Sequence, residues 1–446
     1  MSPNNKLVLG TFNSEHYWKD KDLCTLPSFQ DQDADLILSV MDEMLFVFCD
    51  SVNDLLITRL PFNKAHATYL NDIGFRFSFS TQMVSDEFKD DQNIFALLAK
   101  SNNEYFRSLI HSDCEVLPYS VIPDTGLFLK NYKIKGPVPD IDIVKKVNSK
   151  IYSHTISENI SGKNGGYIIQ SVTELNNKGS ELLKNGPFLM KETLGVSGKG
   201  NLLISNGKLF DRIIRYIEKQ EKEGKKILLL IEPLLDKMID FSCQIEIKKD
   251  GDFRIISLQQ MHNKGFAFHG IQTFDSSLKK ILDKNNYFSQ IELIAKELFE
   301  AGYFGSACID SMIVKNNKVI PIIEINARKS MGLINHYIDE FLSKQSLKGK
   351  LLYFSLAYQE KVNFETILEN FNSNKLLFTR NNPSGVLPLT SNALSVNYDY
   401  TPCTQKNENY RGRLYFSVIS KSEEEENRIL NDTKNILNTL NLLSIN

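Results

Sequence analysis

The sequence predicts a chain of α/β and α+β type in three blocks: an N-terminal α/β domain over residues 1–140, a small lobe over 141–234, and a larger lobe with a C-terminal extension over 235–446. Three observations predict it. The 446 residues exceed what one ordinary core holds and suit two or three packed domains. Strand-like and helix-like runs alternate through the first block, the pattern of a parallel sheet. Beyond the turn at Pro233, strand-like runs such as 306–314 and 319–325 are joined by a hairpin-type turn, Lys315-Asn-Asn-Lys318.

The first block opens with a strand at Lys6-Leu-Val-Leu-Gly10 and a second apolar run, Met44-Leu-Phe-Val-Phe48, read as another strand ending at Cys49-Asp50. A helix over 65–73 and a strand over 75–79 follow, and Gly136-Pro-Val-Pro-Asp140 reads as an extended linker. In the second block the pattern predicts a helix over 144–155, a strand over 167–170, a helix over 172–183, and a strand ending at Lys191. A charged helix over 209–223 and an apolar strand over 227–231 complete it. The third block holds strands over 242–247 and 253–258, a helix over 290–301, the 306–325 hairpin, a strand over 413–419, and an acid-rich helix from Ser422. The glutamates 423–426 sit at a helix N-terminus, where the dipole favours negative charge, and read as a solvated cap.

Composition excludes several classes. A net charge of −2 with both signs dispersed leaves no electrostatic footprint for nucleic acid or an anionic membrane. No apolar run approaches the ~20 residues of a membrane-spanning helix, and the N-terminus lacks the apolar stretch of a signal peptide, so a cytoplasmic location is expected. Six scattered cysteines in no CxxC or Cys/His spacing read as reduced structural thiols.

Three motifs carry chemistry. The strongest is Cys308-Ile-Asp310 followed by Val319-Ile-Pro-Ile-Ile-Glu324-Ile-Asn326-Ala-Arg328. Alternation puts Glu324 and Asn326 on one strand face, with Asp310 on the neighbouring strand. Two carboxylates and an amide oxygen suit hard Mg²⁺ carrying phosphate oxygens, and the apolar flanks predict a buried strand on which an unpaired carboxylate would be costly. The second is Lys191-Glu-Thr-Leu-Gly195-Val-Ser197-Gly198-Lys199-Gly200-Asn201: a strand ending in lysine runs into a loop whose backbone N–H groups can turn onto phosphate oxygens. It has neither Walker A spacing nor a dinucleotide fingerprint. The third is Leu230-Ile-Glu232-Pro-Leu234-Leu-Asp236-Lys-Met-Ile-Asp240, a strand leading into a turn where backbone can meet adenine and a carboxylate can hold ribose hydroxyls.

In this order and spacing the three motifs resemble the ATP-grasp superfamily, over roughly residues 141–340. The resemblance implies an ATP-grasp fold with a pre-ATP-grasp N-terminal domain and a C-terminal extension, ATP and two Mg²⁺ ions as cofactors, and ADP-forming ligation. Lys150 and Lys191 resemble the two nucleotide-binding lysines, and Gly195, Ser197, Gly198, Lys199 and Gly200 the phosphate-covering loop. Glu232 and Leu234 match the adenine hinge, Asp240 the ribose contact, and Asp310, Glu324 and Asn326 the metal ligands. Arg328 matches the arginine that steadies the transferred phosphate. Gln259, His262 and Lys264 resemble a Gln–His–Lys set of the carboxylase branch that reaches ATP and the activated carboxylate. Asp310 departs from the commoner glutamate. The continuation Lys329-Ser-Met-Gly-Leu-Ile-Asn-His336 resembles ligases of antibiotic biosynthesis that join amino acids or peptides or load an amino acid onto a carrier protein.

The expected reaction is attack of a substrate carboxylate on the γ-phosphorus, then displacement of phosphate by an amine. Small-molecule carboxylate and amine substrates are the expected partners, and a homodimer is compatible with the sequence. Alternatives are transfer to the thiol of an acyl carrier protein docked near Lys279, Lys280 and Lys284, carboxylase-like chemistry, and a non-catalytic ATP-binding module.

Overall fold

The computed structural model describes residues 5–28, 31–85, 88, 92–162, 164–195, 200–264, 267–401 and 409–445, with the side chains of 264 and 267 outside the description. Among the described residues, three sheets form. The first contains β1 (Lys6–Leu9), β2 (Leu55–Leu56), β3 (Ser78–Phe79) and β4 (Glu115–Pro118), in the order β3-β2-β1-β4 with every pair parallel. This is the parallel α/β layer expected of the first block. The helix expected over 65–73 is present as Lys64–Ile73, whereas the strand expected over 75–79 pairs only at its last two residues. The run 44–48 is a correction: it lies in a 3-10 helix, Met41–Phe48, in which every residue is buried. A run enclosed on all sides carries no polar face, so its period cannot separate strand from helix.

The second sheet contains β5 (Tyr167–Ile169), β6 (Phe188–Glu192), β7 (Asn201–Ile204) and β8 (Leu229–Pro233), antiparallel in the order β5-β8-β6-β7. Helices Val172–Asn185 and Gly207–Lys222 cross it. They approach closely because Gly179 has no side chain: a Cβ there would lie 2.2 Å from Cζ of Phe210. The single helix expected over 144–155 is two helices, Ile141–Val147 and Lys150–Ser161. Ser149 breaks it, its hydroxyl accepting from Ile151 N at 3.2 Å as an N-cap.

The third sheet is large: β9 (Lys237–Ile247), β10 (Phe253–Lys264), β11 (Ala267–Thr273), β12 (Gly305–Val314), β13 (Lys318–Asn326), β14 (Gly349–Tyr358), β15 (Gly385–Pro388), β16 (Tyr410–Ile419) and β17 (Leu443–Ser444). Its order is β13-β12-β9-β10-β11-β14-β16-β15, with β17 on β14. The expected turn between β12 and β13 forms, with Asn316 and Asn317 at φ 62° and 56°, a conformation asparagine tolerates. Ser422 caps the acid-rich helix Glu423–Thr439, leaving Glu423 and Glu424 exposed.

The cores do not follow the sequence blocks. One hydrophobic cluster joins Val8, Phe46 and Leu70 with Ile338, Phe354 and Phe416; another joins Leu7, Trp18 and Phe128 with Cys243, Ile294 and Ile325. The second sheet has its own cluster, into which Cys24 and Leu26 of the N-terminal segment insert. Cys24, Cys49, Cys114, Cys243 and Cys308 are free thiols; Cys403 lies outside the described residues. Among the described residues no helix is long and apolar enough to cross a membrane.

Candidate active site

The hairpin β12–β13 places Asp310 directly opposite Glu324, and Cys308 opposite Asn326. Pleating turns the side chains of Asp310, Glu324 and Asn326 to one face, as the sequence predicts. Asn326 Nδ2 donates to Asp310 Oδ2 at 3.0 Å, and Cys308 Sγ to Asp310 Oδ1 at 3.4 Å. Burial, and then the neighbouring Glu324, push the Asp310 carboxyl up to about 7. A carboxylate pair strained by burial and like charge is relieved by a cation, and its all-oxygen donors suit magnesium. No group of three or more His, Cys, Asp and Glu side chains gathers among the described residues, so such an ion would take the rest of its shell from Asn326, phosphate and water.

The helix Lys150–Ser161 brings a cation, Lys150, to this pair. Asn148 Oδ1 accepts from Ala327 N at 2.9 Å and Ser153 Oγ from Ile325 N at 3.0 Å, docking the helix along β13. Lys150, buried at its first turn, lies 3.3 Å from Glu324 and donates to the carbonyl of Gly195 at 3.5 Å. One turn on, His154 shares the same face and reaches Glu232 at 3.6 Å. Lys191, at the end of β6, meets the other oxygen of Glu232 at 2.5 Å. Burial would raise the Glu232 carboxyl, but Lys191 and His154 outweigh it and hold it down to about 2.

Arg328 follows β13. Its Nε and Nη2 both donate to Glu15 Oε1, at 3.0 and 2.7 Å. Nη2 also reaches Asn326 Oδ1 at 3.2 Å, and Nη1 reaches Tyr119 Oη at 3.2 Å and Lys329 O at 3.0 Å. Glu15 and Tyr119 come from just beyond the carboxyl ends of β1 and β4, neighbours in the parallel sheet and the edge at which such sheets bind ligands.

The structure thus gathers Lys150, Asp310, Glu324, Asn326 and Arg328, with Lys191 and Glu232 as a second cluster joined through the Lys150 helix. Ser197, Gly198 and Lys199 lie outside the described residues, as does the side chain of Lys264; Gly195 and Gly200 flank the loop, Gly200 at φ +79°. At the expected hinge the N–H of Leu234 is taken by the Pro187 carbonyl at 3.1 Å, and the side chain of Leu234 is exposed. Asp240 accepts from Lys237 at 2.6 Å and from Asn263 at 2.7 Å. Gln259 is fully buried and takes Asn335 Nδ2 at 3.0 Å, from the helix Met331–Ser343. His262 sits beside Gln272 and Lys350 at a bulge, on β10, three strands from Glu324 and so roughly 14 Å across the sheet. Sequence reasoning missed His154, Glu15 and Tyr119. The i, i+4 spacing of Lys150 and His154 could have found the first; nothing local marks the other two.

Chains of known structure share this architecture. Similarity extends over 98% of this chain and 97% of an N5-carboxyaminoimidazole ribonucleotide synthetase in its ADP complex, at 9% identity and a TM-score of 0.52. A biotin carboxylase–ATP complex from Campylobacter jejuni matches over 99% and 91%, at 12% identity and 0.51. An L-amino acid ligase from Bacillus licheniformis matches over 100% and 99%, at 13% identity and 0.50. No family model matches the sequence, and no curated protein matches it either. The chain has the fold of these structures, the ATP-grasp fold.

Proposed function

We propose that the chain is an ADP-forming carboxylate–amine ligase that activates a carboxylate as an acyl phosphate and passes the acyl group to an amine, with an amino acid or peptide among its substrates. The observation that carries this reading is the register pair Asp310–Glu324, partly buried beside Lys150 and Arg328 where three parts of the chain meet. Binding of a nucleotide alone does not require an acidic pair whose like charges oppose folding. The similar structures include an ADP complex, an ATP complex and an amino acid ligase, which agrees with the reading.

A Mg²⁺ ion held by Asp310, Glu324 and Asn326 would neutralise the charge that develops between the β- and γ-phosphates. Lys150 and Lys191, each paired with a glutamate here, exchange those partners for phosphate oxygens, so neither lysine loses a counter-charge as the nucleotide enters. Arg328 faces the transferred group. One substrate carboxylate oxygen bonds to the γ-phosphorus as the bond to the β,γ-bridging oxygen breaks, giving acyl phosphate and ADP. The amine then attacks the acyl carbon, phosphate leaves, and the ammonium proton passes to solvent. Lys150 and Lys191 are buried, and a site closed over them would exclude water that hydrolyses the acyl phosphate.

The test is ADP and phosphate release from Mg-ATP with hydroxylamine present, across a panel of amino acids and other carboxylates. A hydroxamate formed with one carboxylate and reduced about 100-fold or more in Glu324→Ala is the expected result. AMP and pyrophosphate as products would overturn the mechanism. Turnover that appears only with a carrier protein would move the acceptor from an amine to a thiol, docked at the exposed lysines 279, 280 and 284.

A further inference from the structure

We infer that Glu15 is a positioning residue for Arg328, fixing the guanidinium so that an incoming phosphate oxygen displaces only neutral acceptors; this rests on the ligase reading above. All five N–H groups of Arg328 are engaged: Nε and one hydrogen of Nη2 on Glu15, the other Nη2 hydrogen on Asn326, and the two of Nη1 on Tyr119 and Lys329. A guanidinium with no spare donor binds phosphate only by giving up a bond it already has. The two longest bonds, both 3.2 Å, go to the neutral oxygens of Asn326 and Tyr119. The bonds to Glu15 are charge-assisted and roughly twice as strong as neutral ones. The Glu15 side chain is 6% exposed, and leaving its charge unpaired there would be costly. The neutral bonds therefore yield and the Glu15 bonds persist.

Two further observations separate positioning from a plain structural ion pair. Glu15 uses a single oxygen for both bonds, and its Oε2 is buried without a partner, whereas a pair built for strength uses both oxygens in a fork. Glu15 is also held rigidly. The helix Ser14–Trp18 is pinned by the contact of the Ser14 and Ser120 hydroxyls, by Ser14 Oγ donating to Thr11 O at 2.8 Å, and by Trp18 Nε1 donating to Val121 O at 2.9 Å. The N-terminal sheet thus sets the aim of an arginine more than 300 positions along the chain.

The experiment follows the Nε–H resonance of Arg328 in ¹⁵N-arginine-labelled full-length protein, assigned by its loss in Arg328→Lys, together with hydroxamate kinetics. In Glu15→Gln the resonance shifts and exchanges with water about tenfold faster or more, and kcat falls about tenfold or more while KM for ATP stays within about twofold. Glu15→Asp, which keeps the charge, recovers part of both effects; should the glutamine variant fail to fold, the aspartate variant carries the same two readouts. An unchanged Arg328 resonance, or an unchanged kcat, overturns the inference. If the wild-type chain forms no ADP with any carboxylate, the ligase reading falls, and the resonance alone decides whether Glu15 anchors Arg328.

Discussion

Asp310 and Glu324 oppose each other across one register position, and burial pushes Asp310 up to about 7. Such a pair works against the folded state where its charge is not compensated, and Lys150 reaches only the Glu324 side of it, at 3.3 Å. Asp310→Asn is therefore expected to raise the melting temperature of the ligand-free chain while lowering ADP formation about 100-fold or more. Thermal unfolding without magnesium, beside a turnover assay, checks both halves; a lower melting temperature would mean that the bonds Asp310 accepts from Asn326 and Cys308 outweigh the repulsion from Glu324. Sequence alternation suffices to place Glu324 and Asn326 on one face, and the register of the hairpin adds Asp310. It gives no sign that Arg328 is already saturated by Glu15, because the partner lies in another part of the chain.

The elements that aim these side chains depend on a few close approaches. Gly10 ends β1 where Tyr119 crosses: a Cβ on Gly10 would lie 2.4 Å from Cβ and 2.7 Å from the backbone nitrogen of Tyr119. Backbone cannot swing aside as a flexible side chain can. Gly10→Ala is expected to destabilise by about 1–3 kcal/mol, the cost of overpacking, and to displace Glu15 and Tyr119 together. Urea unfolding measures the first effect, and the Arg328 Nε–H resonance the second. The strap formed by residues 19–26 acts at the same scale. It pairs Leu23 with Lys226, exchanges hydrogen bonds between Thr25 and Gln220, and places Leu26 N on Glu192 at 2.7 Å, next to Lys191. The N-terminal segment therefore holds the lobe that carries the glycine loop.

Across the whole molecule, the N-terminal block and the C-terminal extension fold as one body. Glu43, fully buried, accepts from Ser391 Oγ and from the amides of Asn392 and Ala393, capping the helix Asn392–Tyr400 from some 350 positions away. His66 lies at the same junction, stacked on Phe62 and bonded through Nε2 to the Pro388 carbonyl at 3.0 Å. Burial pushes its pKa down to about 4. Because the unfolded chain takes up this proton near pH 6.5, the stability associated with neutral His66 is complete above that pH and is lost as pH falls toward 4. The loss is on the order of 3 kcal/mol across the window. In His66→Phe, the drop in urea midpoint between pH 7.5 and 4.5 is expected to shrink; an equal drop would assign the acid sensitivity to other groups.

The sequence by itself determined the elements whose signal is local. Alternation gave the β12–β13 hairpin and its polar face, helical periodicity gave Val172–Asn185 and Gly207–Lys222, and a lysine before a glycine run marked the end of β6. Only the tertiary structure decided the rest. The buried run 41–48 became a 3-10 helix because enclosure on all sides erases periodicity, and Ser149 split one expected helix into two because capping outweighed continuation. The Glu15–Arg328 and Glu232–His154–Lys191 contacts, and the cores shared between the first and last blocks, join residues far apart in sequence. Charge and burial act through space, so partners such as Glu15 and Arg328 leave no spacing between them that a linear reading could detect.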